Sequence, residues 1–265
     1  MFANSPFAEG RDSGYKSWRQ HQMKSINSPL FVVPDALFEK SYGLDDWVMH
    51  VLNVPMIVIV RNGAYIAVSP RLFQDMVGVP LPELSHLPEH ERYLTEQDLL
   101  DHLTNVKPEI LLKPNLLLEF RAADIGPSPA HWMALTAFWI GIFYNDAAFK
   151  AAEEYVSGWP NKGRFALQQE LFRDGLKTAV HGKAARDVLP DLLEISRQGL
   201  LQIEPGAASM LDLLFRQVGR GVAPADIILE KFRKNGGDMP ATLRQSFLFF
   251  PEHQGSVLLN LAKAG

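Results

Sequence analysis

The clearest hairpin pattern in the chain, two apolar runs broken by a polar turn, lies near residue 60. Val54-Pro-Met-Ile-Val-Ile-Val-Arg61 is rich in β-branched residues, Asn62-Gly63 follows as a type I′ turn signal, and Tyr65-Ile-Ala-Val68 resumes the extended pattern. A β-hairpin is predicted there. Ahead of it, residues 44–52 read as a short helix. The first forty residues, rich in Ser, Asn, Pro and Gly and broken at Gly14 and Pro29, read as loop. Pro80, Pro82 and Pro88 mark another loop, after which Thr95 caps a helix carrying Leu99, Leu100 and Leu103. Residues 115–121 read as a strand, ended by Ile125-Gly-Pro-Ser-Pro129.

Helical periodicity then takes over. Residues 131–145 are apolar nearly all round, which predicts a buried helix. Residues 147–157, 164–174, 183–200, 207–218 and 224–233 are amphipathic, the last with Pro224 in a first turn where its missing N–H does no harm. The tail beyond Pro240 shows no clear period, and no internal repeat is visible.

Strands early and helices late predict an α+β protein rather than an alternating α/β one. The expected division is a partial antiparallel sheet carrying the candidate site over residues 1–125 and a helical region over 126–265, the alternative being one continuous domain. Three strands are few for an independent sheet, so the early strands are expected to need partners from elsewhere.

Composition narrows the function classes. The chain has 265 residues, 47% hydrophobic and 21% charged, as in a globular protein with a sizeable core. A formal charge of -4 gives no electrostatic case for nucleic acid or an anionic membrane surface. The absence of cysteine excludes disulfides, a thiolate nucleophile and thiolate-bound metal, and fits a reducing cytoplasm. The opening residues carry no apolar core of a signal peptide, and the run Trp132 to Tyr144 is too short to span a bilayer, so no membrane association is expected.

The chemistry-bearing residues are few. Glu119 and Arg121 are two apart on a predicted strand and therefore share a face. A hard carboxylate oxygen beside a guanidinium suits Mg²⁺ and phosphate; it equally suits a cross-strand ion pair on a solvated face. Asp124, just past the strand, is placed to orient Arg121, to ligate metal or to cap a turn. The opening loop gathers Asn4, Ser5, Glu9, Arg11, Tyr15 and Arg19, a polar set that can bind a small substrate or simply line a surface connection. The eight histidines show no metal spacing, and no phosphate-binding glycine loop, dinucleotide fingerprint or nucleophile elbow occurs.

Several ordered segments resemble the plant- and proteobacterial-type glutamate–cysteine ligase family. They are Phe2-Ala-Asn-Ser-Pro-Phe-Ala-Glu-Gly10 with Gly14-Tyr15 and Ser17-Trp18-Arg19, Val54-Pro-Met56 with the hairpin, Asp101-His-Leu-Thr104, Leu118-Glu-Phe-Arg-Ala-Ala-Asp124, Ala137-Phe-Trp-Ile-Gly-Ile-Phe-Tyr-Asn-Asp146, Gly175-Leu-Lys-Thr178 and Ala223-Pro-Ala225. The resemblance covers roughly residues 2–235 and implies part of a glutamine-synthetase-like antiparallel sheet. It also implies an ATP- and Mg²⁺-dependent joining of glutamate to cysteine, the first step of glutathione synthesis. In that frame Glu119 is a metal ligand and Arg121 a catalytic, nucleotide-binding residue facing the phosphates. Arg19, with Tyr15 and Ser5, is on the substrate side. The family's amino-terminal half, which carries most of its metal-binding glutamates, has no counterpart before Phe2. A second polypeptide supplying it is the expectation, the alternative being a non-catalytic relative that binds a partner. Pro129-Ala130-His131 also stands where the family has a tryptophan and paired arginines.

Overall fold

The computed structural model describes residues 1–26, 29–31, 33–38, 41–113, 115, 117–159 and 163–246. In chain order the elements are β1 (Phe7–Ala8), β2 (Arg11–Asp12), α1 (Trp18–Ser25), α2 (Leu44–Leu52), β3 (Val58–Arg61), β4 (Ala64–Ala67), α3 (Phe73–Met76), α4 (Glu96–Asn105), β5 (Ile110–Leu112), β6 (Leu118–Phe120), α5 (Pro129–Phe143), α6 (Asp146–Ser157), α7 (Arg164–Asp174), β7 (Ala179–Val180), β8 (Lys183–Ala184), α8 (Ala185–Ile203), α9 (Asp212–Arg220), α10 (Pro224–Lys234) and α11 (Met239–Ser246), joined by short 3-10 turns. The α+β class holds: helices dominate, and each strand pair among the described residues is a two-stranded antiparallel hairpin.

The chain divides into two compact units, one of residues 22–122 and one that joins residues 1–21 to residues 123 onward. In the unit of residues 22–122, the β3–β4 hairpin pairs Val60 with Tyr65 and Arg61 with Ala64. Its turn puts Asn62 at φ 51° and Gly63 at φ 78°, the two positive angles that a type I′ turn demands. Met56, Ile59, Val68, Phe73, Met76, Leu81 and Leu84 form one apolar cluster. Leu30, Trp47, Val51, Val54, Val106 and Leu111 form another.

Helix α4 starts on a reciprocal cap: the Thr95 hydroxyl accepts from Asp98 N–H at 3.3 Å, and the Asp98 carboxylate accepts from Thr95 N–H at 2.7 Å. Asp98, 1% exposed, also takes both arms of Arg61 at 2.7 Å each. Near the ends of the unit, Lys24 meets Glu109 at 2.7 Å, with side-chain exposures of only 3% and 9%.

The other unit is built on helices. Ala134, Ala137, Phe138 and Ile142 of α5 pack against Leu193 and Leu200 of α8 and Leu214 and Val218 of α9, and Met1 and Phe2 join this core. Two glycines let the helices approach closely. A Cβ on Gly199 would lie 1.9 Å from the Gly141 carbonyl oxygen, and one on Gly141 would lie 2.2 Å from that of Ser196.

Helix α5 is not enclosed all round, as its composition predicts. One face is buried, while Met133 is 50% and Tyr144, just past its end, 77% exposed. The segment predicted helical over 207–218 is a 3-10 stretch, Pro205–Leu211, followed by α9. The loop expected over the first forty residues contains the hairpin β1–β2 and helix α1. Part of the aperiodic tail forms α11, and the rest lies outside the described residues. Among the described residues no helix is long and apolar enough to cross a membrane.

Candidate functional site

In the helical unit, the opening segment is laced to the residues that follow the β5–β6 hairpin in sequence. Ser5 sits between two stretches of backbone: its N–H donates to the Lys16 carbonyl and its own carbonyl accepts from Trp18 N–H. That places its hydroxyl to donate to Asp124 Oδ2 at 2.8 Å while accepting from Arg19 N–H at 3.2 Å. Asp124 Oδ2 also accepts from Asn4 N–H at 2.9 Å, and Oδ1 accepts from Arg19 Nε at 2.8 Å. Arg19 Nη2 donates to the Ala123 carbonyl at 2.7 Å. The Asp124 side chain is 4% exposed and that of Arg19 is 42% exposed. A buried carboxylate and a backbone carbonyl thus fix the orientation of a guanidinium that is 42% exposed, a group whose charge and fork match a carboxylate or phosphate. Ser5 and Arg19 are brought together, and Asp124 is what joins them.

Tyr15 is placed separately, stacked on His21 with ring centroids 3.9 Å apart and tilted against Trp18 at 5.7 Å. The His21 ring is itself held by Gln169 through Nδ1 at 2.9 Å.

Glu119 and Arg121 belong to the unit of residues 22–122. Glu119 lies on β6 opposite Leu111, which puts Lys113 diagonally across the hairpin. Lys113 Nζ is 2.8 Å from Glu119 Oε2, and Arg121 Nη1 is 2.7 Å from Oε1. Donation from the Lys113 ammonium, with Arg121 beside it, holds the Glu119 carboxyl below the usual carboxylate range despite slight desolvation. The two residues do share a face, and the ion pair weighed as the plainer alternative is formed.

His131, in the position of an expected arginine, is bound through both ring nitrogens, Nδ1 to Ser128 at 2.8 Å and Nε2 to Gln217 at 2.9 Å. Burial lowers its pKa, so at neutral pH it carries no replacement cation.

These groups do not by themselves make a magnesium site. Both oxygens of Glu119 are engaged by cations, and among the described residues no three His, Asp or Glu side chains converge on a point. The residues that sequence reasoning left out of the site are Lys113 and, as the anchor of Arg19, Asp124. The signal for Lys113 was the hairpin register, invisible while β5 was unread.

Residues 1–245 match the model of glutamate–cysteine ligase family 2. The chain is 32% identical over 236 residues to glutamate–cysteine ligase A, chloroplastic, of Oryza sativa subsp. indica, covering 88% of this chain and 46% of that protein. It is 32% identical over 240 residues to the chloroplastic glutamate–cysteine ligase of Nicotiana tabacum, covering 89% and 44%. With that of Arabidopsis thaliana it shares 30% over 253 residues, covering 94% and 46%. The chain therefore spans less than half the length of these relatives. With the order of segments noted above and a family match over nearly all of its described length, the chain belongs to glutamate–cysteine ligase family 2.

Proposed function

We propose that the chain forms the carboxyl-terminal part of an ATP-dependent glutamate–cysteine ligase, completed by a second polypeptide. The observation that carries this reading is the Asp124–Arg19 pair. A buried carboxylate at 2.8 Å orients a part-exposed guanidinium beside the Ser5 hydroxyl, a cation of the kind that pairs with the carboxylate of an amino-acid substrate. Ser5 stiffens the loop, and Tyr15 borders it. Arg121 serves the phosphoryl oxygens, as a guanidinium can by charge and geometry. Glu119 contributes one carboxylate to a metal site whose remaining donors come from the second polypeptide. Bound Mg²⁺ would neutralise phosphoryl charge. Glutamate and cysteine are the proposed substrates and the cytoplasm the proposed location, while the named relatives are chloroplastic.

A second reading, a non-catalytic relative that binds a small acid or a partner, is favoured by the closed state of Glu119, whose two oxygens are both ion-paired. Glutamate- and cysteine-dependent ATP hydrolysis with Mg²⁺ separates the two. The purified chain is assayed alone and then mixed with a candidate amino-terminal half. Turnover in the mixture, lost in Arg19→Ala, supports the ligase. A well-folded chain that is inactive in both settings overturns it in favour of the binding protein.

A further inference from the structure

Apart from the residues discussed above, the helical unit carries an open cleft of about 580 Å³ lined by Lys177, Ala184, Arg186, Arg220, Gly221, Val222 and Asp226. Three of its side chains are cations, and they come from three separate segments: the turn after α7, the first turn of α8 and the end of α9. The single carboxylate does not cancel them. Asp226 Oδ1 is 2.8 Å from Lys16 Nζ, and its Oδ2 accepts from the Ala223 N–H at 2.9 Å to cap α10.

The backbone brings Arg186 against the turn that follows Arg220. Gly221 ends α9 in the left-handed region, φ 64° and ψ 31°, turning the chain sharply behind Arg220. A Cβ at that glycine would lie 3.5 Å from Arg186 Cδ and 3.6 Å from its Nη1, so the Arg186 side chain lies directly against the turn. Arg186 pairs with Asp187 at a loose 3.5 Å with both side chains 58% exposed, a pair of little strength. Three cations line one concave surface, with Asp174 interacting electrostatically with Lys177, and two of the three are guanidiniums, whose fork matches phosphoryl oxygens.

We infer that this cleft is a binding site for a small phosphate-bearing polyanion, separate from the residues assigned to ligation. Its volume falls in the range that holds a nucleotide-sized ligand. It makes no use of Arg19, Glu119 or Arg121, and it stands whether or not the ligase reading does.

Inorganic pyrophosphate titrated calorimetrically into the whole chain tests it. The expected result is saturable one-to-one binding that weakens as salt rises from about 0.05 to 0.5 M. Affinity should drop about tenfold in Arg220→Ala and in Lys177→Gln, each a loss of one charge-assisted contact. Arg121→Ala and Arg19→Ala should leave it unchanged. Binding that survives Arg220→Ala and Lys177→Gln, or that disappears in Arg121→Ala, overturns the assignment. Citrate binding as tightly as pyrophosphate overturns the phosphoryl preference. Circular dichroism of each variant confirms that a loss reflects the cleft and not the fold.

Discussion

Arg19 Nε donates to Asp124 Oδ1 at 2.8 Å across 105 residues of sequence, and the same carboxylate accepts from Asn4 N–H and the Ser5 hydroxyl. Replacing Asp124 with Ala leaves these donors without their acceptor in a site where the carboxylate is 4% exposed. The expected loss is roughly 2–4 kcal/mol of stability. A lowered urea midpoint at constant m-value is the readout. A midpoint equal to that of the parent chain removes Asp124 from the role of anchor.

Glu119→Gln should behave oppositely. Its partners Lys113 and Arg121 have side chains 40% and 31% exposed, so the pairs are screened and the stability change stays within about 1 kcal/mol. Ligation by the completed enzyme should nevertheless collapse. Parent-like turnover in Glu119→Gln would falsify the site assignment.

Asp98 makes the fold sensitive to acid. Burial pushes its carboxyl up, but hydrogen bonds from Arg61 and from the backbone and hydroxyl of Thr95 outweigh this and leave it below the ordinary value. A depressed carboxyl contributes stability that is present above the unfolded value near pH 4 and is lost as pH falls through the folded one. Asp98→Asn should cost roughly 3–5 kcal/mol at neutral pH by stranding Arg61, and should flatten the acid limb of the stability profile. An acid limb as steep as in the parent chain would show that other carboxylates control it.

A second pH effect sits at milder acidity. His102 is fully buried, lies flat against Phe73 at 5.0 Å and uses Nε2 towards the Val51 carbonyl at 2.9 Å, the tautomer being the one with the proton on Nε2. Burial lowers its pKa, the Val51 bond opposing only in part, and burial lowers that of His50 in the same direction. Stability from neutral imidazole is present above about pH 6.5 and falls as pH drops through the folded values. Unfolding midpoints measured between pH 8 and pH 5 should decline, and His102→Gln, which keeps a donor for Val51, should decline less steeply. Equal slopes would clear His102 of the effect.

The glycine crossing of α5 and α8 tolerates no side chain. Gly199→Ala places a Cβ 1.9 Å from the Gly141 oxygen and 2.9 Å from the Ala148 Cβ, so a loss above about 3 kcal/mol is expected. Gly158→Ala, with nothing within 4 Å, should stay within about 0.5 kcal/mol. Similar thermal midpoints for the two variants would refute the close packing.

What was legible in the sequence was what local physics determines. The I′ turn at Asn62-Gly63, the Thr95 cap and the spans of α2 and α7 follow from dihedral preference, side-chain capping and apolar period. Helix α1 was missed because its inner face is polar: Gln20 and Lys24 are each 4% exposed, so its burial leaves no hydrophobic period. Strand β5 has three residues and is defined by its partner, not by its own pattern. The pairing of Glu119 with Arg121 could be read from a spacing of two. The pairing of Arg19 with Asp124 could not, since nothing local to either residue marks the other.

The carboxyl-terminal helices close around the chain's first 21 residues, with residues 22–122 in between. Joining the ends of a flexible loop on the order of 100 residues costs roughly 4 kcal/mol of chain entropy. The intervening unit can remove that cost. Its Lys24–Glu109 pair, at 2.7 Å, and the Arg121 N–H donating to the Glu109 carbonyl, also at 2.7 Å, draw its two ends together once it has folded. The expected order of folding is therefore the middle of the chain first, after which Arg19 and Asp124 meet as near neighbours along the path and not as the ends of a long coil.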